Sequence, residues 1–313
     1  MYLHENAHDF QQLVINTSKH FNRSEAFIVK DYFATMMLRE ATEAYPQLVF
    51  KGGTSLSKCY GIIARFSEDI DLGIPDNHAT EGARKNIKRA VVKAACNTSL
   101  EILNLNAIRS RRDYNRYELA IPLSSCSGKD SIIIVETALM TPASPFQERS
   151  LCSFIGEYCA TAGFYRAIEE YALDEFLVKA TSLERTFCDK VFAVCDYYLL
   201  GDTPHRQSRH IYDLRKLQTA ISFDNALRSL VETVRTQRAG RHHCPSADPS
   251  VDIPSVLDEI VSCEFYRKDY ESMTVPLLYE DMPYQEAVSS LSDIARFLSP
   301  DNHASGKLSE WER

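Results

Sequence analysis

Apolar residues recur over the first fifty positions at roughly helical spacing: Leu13, Phe21, Phe27, Val29, Tyr32, Met36, Met37 and Leu38, with no proline before Pro46. That periodicity predicts helices there. The texture then changes. Gln47 to Phe50 is a short apolar run followed by Gly52-Gly53, and Ser55 to Ile63 is compatible with a helix. Asp69-Ile70-Asp71-Leu72-Gly73-Ile74 opens with strict polar/apolar alternation, the pattern of a half-buried strand. Residues 80–97 read as helical. Leu100 to Ile108, Tyr114 to Pro122 and Ser131 to Leu139 read as strands. Strands separated by helices early and by short turns later predict a mixed sheet with an antiparallel portion.

From about Leu151 the pattern turns helical, over 151–172, 183–199, 205–219 and 223–238, with a short extended piece at Phe176 to Val178. Ala239 to Pro254 has the composition of a loop, and the last dozen residues read as a frayed tail. The expectation is an α+β fold. Residues 1–150 would form an α/β core with N-terminal helices, residues 151–300 a mainly helical domain, and residues 301–313 a flexible tail.

Composition narrows the classes. The chain has 313 residues, 44% hydrophobic and 25% charged, as in a globular protein. It has no apolar run long enough for a bilayer and no signal-peptide pattern at its start, so a cytoplasmic protein without a membrane partner is expected. The nine cysteines are scattered, with no pair spaced for zinc or a disulfide frame, and are expected to be reduced and mostly buried. His242-His243-Cys244 sits in a loop without partners at zinc spacing and is read as surface. A net charge of −8 argues against coating nucleic acid through overall charge. Three basic runs remain: Arg84, Lys85, Lys88 and Arg89; Arg109, Arg111, Arg112 and Arg116; Arg206, Arg209, Arg215 and Lys216. Only their clustering in space would turn them from solvated faces into a binding surface.

The chemistry concentrates in Lys51-Gly-Gly-Thr-Ser-Leu-Ser-Lys58 and Arg65-Phe-Ser-Glu-Asp-Ile-Asp71. In a strand, Asp69 and Asp71 share one face while Ile70 and Leu72 face the core. Two neighbouring carboxylates repel, and a cation between them relieves the repulsion; Mg²⁺ suits hard oxygen ligands and leaves positions for phosphate oxygens. The glycine pair permits a sharp turn and close approach to a ligand. A helix starting there would aim N–H groups at an anion, beside the hydroxyls of Thr54, Ser55 and Ser57. A phosphate cradle one short helix from a metal-binding acid pair suits phosphoryl or nucleotidyl transfer. The segment is no Walker P-loop, because Lys58 follows no glycine and precedes Cys59.

With these residues in place, KGGTSLSK and RFSEDIDL resemble the signature of the AbiEii/AbiGii-type nucleotidyltransferase toxins, a branch of the DNA polymerase β-like superfamily, over roughly residues 30–220. The resemblance implies a polymerase β-like nucleotidyltransferase core. Gly52, Gly53, Thr54, Ser55, Lys58 and Ser67 would hold the nucleotide, and Asp69 and Asp71 would bind Mg²⁺, or Mn²⁺ in its place. It continues in Leu183-Glu-Arg-Thr-Phe-Cys-Asp-Lys190 and Arg209-His-Ile-Tyr-Asp-Leu214, where the family carries a functional lysine and aspartate, matching Lys190 and Asp213.

The residues add their own reading. Thr181-Ser-Leu-Glu184 fits a capping box, so a helix should start near Leu183. On it Lys190 falls inside the apolar stripe of Leu183, Phe187, Val191 and Val194, where a lysine must snorkel, find an acid or face a ligand. Asp213 either forms an i, i+4 surface pair with Arg209 or meets Lys190 or the nucleotide. Glu136, in the Ile-rich strand, is the preferred third metal carboxylate, with Glu118 as the alternative.

The resemblance also implies the toxin of a bacterial toxin–antitoxin or phage-defence pair. It would transfer NMP from an NTP to an acceptor hydroxyl, with tRNA the favoured acceptor and a cognate antitoxin as partner. Two other classes fit the residues less closely: a protein-modifying NTP-dependent transferase sharing the cleft, and a non-catalytic nucleotide-binding module.

Overall fold

A computed structural model describes residues 1–67, 69–75, 80–109, 112–122, 131–201 and 204–299. The chain divides into two compact units, residues 1–61 with 67–182, and residues 62–66 with 183–313.

The first unit is built on a seven-stranded mixed sheet in the order β3-β4-β5-β2-β1-β7-β6. Its strands are β1 (Val49–Lys51), β2 (Asp69–Gly73), β3 (Glu101–Ile102), β4 (Tyr114–Ala120), β5 (Ile132–Ala138), β6 (Phe146–Leu151) and β7 (Phe176–Thr181). β2 runs antiparallel to β1 and parallel to β5, and β1 runs parallel to β7. The helices are α1 (Ala7–Phe21), α2 (Glu25–Ala44), α3 (Gly52–Lys58), α4 (Glu81–Asn97), α5 (Phe154–Ala162) and α6 (Tyr165–Glu170). Side-chain oxygens of Asn6, Ser24, Thr80 and Ser153 cap α1, α2, α4 and α5 by accepting from the third helical N–H, which satisfies one orphan donor in each.

Strand alternation divides this sheet into two faces. Ile70 and Leu72 of β2, Tyr117 and Leu119 of β4, and Ile133 and Val135 of β5 are buried. They join one core with Ile28, Tyr32, Met36 and Leu38 of α2 and Ile87, Val91 and Ala94 of α4. Asp69, Asp71, Arg116, Glu118 and Glu136 lie on the other face, none of them buried.

The second unit is helical: α7 (Leu183–Leu199), α8 (Arg209–Gln218), α9 (Asn225–Arg238), α10 (Ile253–Ser262), α11 (Arg267–Asp269) and α12 (Tyr284–Leu298). Residues 62–66 belong to it through backbone bonds. Phe66 N donates to the Leu277 carbonyl, Tyr279 N donates to the Ala64 carbonyl, and Ala64 N donates to the Tyr212 hydroxyl.

The mixed sheet followed by helices is the expected α+β fold, with three differences. The boundary falls at 182/183 rather than 150, because β6 and the extended piece at 176–181 pair with each other and extend the sheet beyond β1. The strand expected over 100–108 shrinks to two residues, then gives way to a helical turn at Leu105–Ala107. α7 starts at Leu183, but Thr181 Oγ1 has no hydrogen-bond partner, so the expected capping box is not made by that hydroxyl. The expected tail at 301–313 lies outside the described residues. All eight described cysteines are free. Only Cys159, Cys188 and Cys195 are buried, fewer than expected.

Candidate active site

β2 is the hinge of the site. In its register Asp71 stands opposite Lys51 of β1 on one side and beside Glu136 of β5 on the other; Asp69 stands beside Ile134. The two aspartates are two residues apart in an extended strand, so their side chains leave the same face, as expected. Glu136 shares that face. Its Oε1 accepts a hydrogen bond from the Tyr114 hydroxyl at 2.9 Å. Burial and this carboxylate together push the Tyr114 phenol above its ordinary range. Glu118, the alternative third acid, pairs in register with Ile134, one strand further from Asp69.

The glycine turn is fitted to this acid strand. Gly52 has φ +75°, in the left-handed region, and a Cβ built on it would fall 1.8 Å from Asp71 Oδ2. Glycine is therefore required twice, for its backbone angle and for the carboxylate that lies against its α-carbon. Thr54 locks the arrangement. Its hydroxyl donates to the Asp69 carbonyl at 2.6 Å and lies 2.9 Å from Ser67 Oγ, tying the first turn of α3 to the start of β2.

The hydroxyls behave differently from the sequence expectation. Thr54 and Ser55 are buried, and Ser55 Oγ donates to the Gly52 carbonyl at 2.9 Å. Ser57 Oγ donates to the Thr54 carbonyl at 3.0 Å. These protons shape the turn, which leaves its backbone N–H groups and Ser67 as the better anion donors. Lys58 is also differently employed. Its ammonium pairs with Asp31 of α2, the two side chains being 11% and 8% exposed, and Asp31 Oδ2 accepts from Phe154 N at 2.9 Å. The lysine placed by sequence on the nucleotide instead ties α3 to α2 and the start of α5. A charge this far withdrawn from water is held by its partner.

Do these residues fit Mg²⁺? Asp69 and Asp71 provide hard oxygens on one open face, next to a turn that only glycine can form. Among the described residues no three His, Cys, Asp or Glu side chains converge into a ready-made cluster, and Glu136 is engaged by the Tyr114 hydroxyl. Mg²⁺ is commonly held by one or two carboxylates, its remaining positions taken by water and substrate phosphates, and the acid pair fits that mode.

In the second unit, Lys190 and Asp213 meet. Lys190 Nζ donates to Asp213 Oδ2 at 2.6 Å. Arg65 clasps the same carboxylate from Nε at 2.7 Å and from a terminal nitrogen at 2.8 Å. All three are buried. Burial alone would raise the Asp213 carboxyl, but Arg65 and Lys190 more than offset it and hold the group well below the usual carboxylate range. Burial lowers Lys190, and sharing its anion with Arg65 leaves that only partly compensated. His210 beside them is likewise lowered well below its ordinary value, first by burial and then by Lys190. Arg209 is not the partner of Asp213: its Nε donates to the Arg206 carbonyl.

Sequence reasoning passed over two residues. Arg65 was visible as part of the RFSEDIDL segment, but its partner lies 148 positions away. Tyr114 carried a fainter signal, as an aromatic in strand alternation with Arg116 and Glu118.

A model of the family described as the nucleotidyl transferase AbiEii toxin of a type IV toxin–antitoxin system matches residues 37–294. Among solved structures, MenT4, a nucleotidyltransferase toxin from Mycobacterium tuberculosis H37Rv, is similar in fold. It has 16% identity and a TM-score of 0.51, with 93% of this chain and 91% of that chain covered. JHP933 from Helicobacter pylori is matched at 16% identity and a TM-score of 0.37, over 93% of this chain and 95% of that one. No curated protein matches the sequence. No helix among the described residues is long and apolar enough to cross a membrane.

Proposed function

The chain belongs to the AbiEii nucleotidyltransferase toxin family, and on that premise we propose that it transfers NMP from an NTP to the 3′-terminal hydroxyl of an RNA, tRNA being the favoured acceptor. Membership of a toxin family carries with it an NTP substrate and a cognate antitoxin. The observation that carries the proposal is the Asp71 carboxylate lying against the Gly52 turn, with Asp69 on the same strand face.

Asp69 and Asp71 would hold Mg²⁺, whose chemistry is to neutralise phosphate charge and to make a hydroxyl a better nucleophile. The turn at Gly52 and Gly53 presents backbone N–H groups to a triphosphate, and Ser67 adds a hydroxyl. Thr54 keeps turn and acid strand in one fixed relation, so that the phosphates and the carboxylates are positioned together. The acceptor oxygen attacks the α-phosphorus in line, a P–O bond forms as the α–β bridging P–O bond breaks, the hydroxyl proton passes to solvent water, and pyrophosphate leaves.

By the family resemblance, Lys190 would neutralise triphosphate charge. Asp213 is assigned to orienting Lys190 and Arg65. A carboxylate clasped by two cations is too weak a base to take the acceptor's proton. An NTP-dependent enzyme acting on RNA belongs in the cytoplasm, and phage defence is the setting in which such a toxin would be used.

Incubating the protein with Mg²⁺, each labelled NTP, and total RNA or total protein, followed by sequencing of RNA 3′ ends, tests this reading. Label on RNA 3′ ends is expected, lost on the order of 10³-fold or more in Asp69→Asn and Asp71→Asn. Label on protein would replace the RNA acceptor with the protein-modifying alternative. Equal NTP binding by wild type and Asp69→Ala in calorimetry, with no transfer, would leave a binding module.

A further inference from the structure

The three basic runs of the sequence are largely taken up by their own neighbours. Lys85 pairs with Glu81, Arg84 with Asp113 and Lys216 with Glu280, and Arg209 donates to the Arg206 carbonyl. A cation outside all three stands against the acid pair itself. Lys51 is the last residue of β1, and the register sets it directly opposite Asp71. Residues paired in this way put their side chains on one face. Lys51 therefore shares the open face with Asp69, Asp71 and Glu136.

A lysine opposite an aspartate would ordinarily reach across to it. Lys51 does not. Its stem crosses diagonally to lie against Gly73, further along β2: a Cβ built on Gly73 would fall 2.8 Å from Lys51 Cδ and 3.1 Å from the Ala143 Cβ. Gly73 has no left-handed φ, so glycine is called for there by the space that the lysine stem and Ala143 fill. Lys51 is partly buried, and among the described residues its ammonium has neither a hydrogen bond nor an ion pair. Its neighbours are engaged: Lys58 with Asp31, Arg116 with Glu118, and Glu136 with Tyr114. An ammonium laid along the open face without a carboxylate of its own is placed for an anion from outside.

The direction of the stem decides which anion. Thr54 bonds the Asp69 carbonyl, so the glycine turn and its N–H groups sit at the Asp69 end of β2, while the Lys51 stem runs to the Gly73 end. Asp71 lies between them. In-line displacement puts the attacking oxygen and the leaving pyrophosphate on opposite sides of the α-phosphorus. With the pyrophosphate in the turn, the acceptor enters from the Lys51 side. We infer that Lys51 holds the last internucleotide phosphate of the acceptor strand, beside the 3′ hydroxyl that attacks. The inference rests on RNA being the acceptor and adds how its end is held.

The test uses full-length protein with Mg²⁺, labelled NTP and a synthetic RNA with an unpaired 3′ end, its last linkage either normal or an uncharged methylphosphonate. Lys51→Met should lower kcat/KM for the normal RNA about tenfold or more, the worth of one hydrogen bond to a charged group. It should also flatten the salt dependence of RNA binding by about 0.7 in slope, the value for one single-strand phosphate. The methylphosphonate should cost wild type a similar factor and cost Lys51→Met little more, since the contact is already gone. Lys51→Arg keeps the charge and should keep most of the activity. NTP affinity by calorimetry and melting temperature should match wild type in both variants. Lys179→Met, whose ammonium bonds the Pro46 carbonyl at 3.0 Å, should match it in transfer. Unchanged RNA kinetics in Lys51→Met, with or without a raised NTP Kd, overturn the inference, as do losses from substitution and methylphosphonate that simply multiply. Wild type that labels protein and no RNA overturns the acceptor assignment, and this contact with it.

Discussion

Replacing Gly52 by alanine separates what the backbone requires from what the acid pair requires. A left-handed alanine costs about 1–2 kcal/mol. The new methyl would also stand 1.8 Å from Asp71 Oδ2 and 2.8 Å from its Cγ, so the carboxylate must swing off its rotamer, about 0.5–1.5 kcal/mol more. Together these amount to about 1.5–3.5 kcal/mol, a fall in Tm of roughly 2–5 °C for a chain of this size. The loss in turnover should be larger in proportion, since moving a metal-binding oxygen by an ångström costs on the order of 10²-fold. Gly163→Ala is the control. Gly163 has φ +76° with nothing within 4 Å of a built Cβ, so it carries only the backbone cost. Thermal melting and pyrophosphate release, measured side by side, should show a smaller loss of stability in Gly163→Ala and a loss of turnover only in Gly52→Ala. If the two variants turn over alike, Asp71 is not held in place by the turn, and the coupling of phosphate cradle to metal acids is wrong.

Three further outcomes follow from the ion pairs. Asp213→Asn leaves Arg65 and Lys190 buried without an anion and should cost about 3–5 kcal/mol by denaturant titration. Because the Asp213 carboxyl is held below its ordinary 3.8 in the folded protein, its contribution is present above about pH 4 and fades as pH falls towards the depressed value. The Asn variant should therefore show a flatter loss of stability on acidification than wild type. Lys58→Met should lower stability by a similar about 3–5 kcal/mol, with KM for NTP unchanged; Lys58→Met with Asp31→Leu should regain part of the loss. A raised KM at preserved stability would return Lys58 to the nucleotide.

How much of this was legible depended on the range of the contact. Alternation in Asp69-Ile70-Asp71-Leu72 gave the strand and its open face, because period-two patterning is a local property. Helices α4, α7 and α9 were placed within a few residues by their helical sequence pattern. β6 was missed because Phe146-Gln-Glu-Arg-Ser-Leu151 has no alternation to distinguish it: it is an edge strand, paired on one side only. The ion pair of Lys58 was hidden for another reason. Next to a glycine turn a lysine suggests phosphate, and only the fold brings up Asp31 from 27 residues earlier. Lys190 was read as a lysine that must snorkel, find an acid or face a ligand; which of these applies, and the clasp of Asp213 by Arg65, needed the tertiary structure.

The segment 62–66 has a bearing on how this protein can be taken apart. Five residues flanked on both sides by the sheet unit are claimed by the helical one, so the chain passes between the units three times and no single cut divides them. A product ending at residue 182 would keep Arg65 but lose Asp213, and would keep the amides of Ala64 and Phe66 but lose the Tyr212 and Leu277 oxygens that receive them. Those amides lie within five residues of Asp69. Truncation for expression or crystallography should therefore spare both units, and a nonsense codon in the second half would yield an unstable remnant rather than a smaller working enzyme.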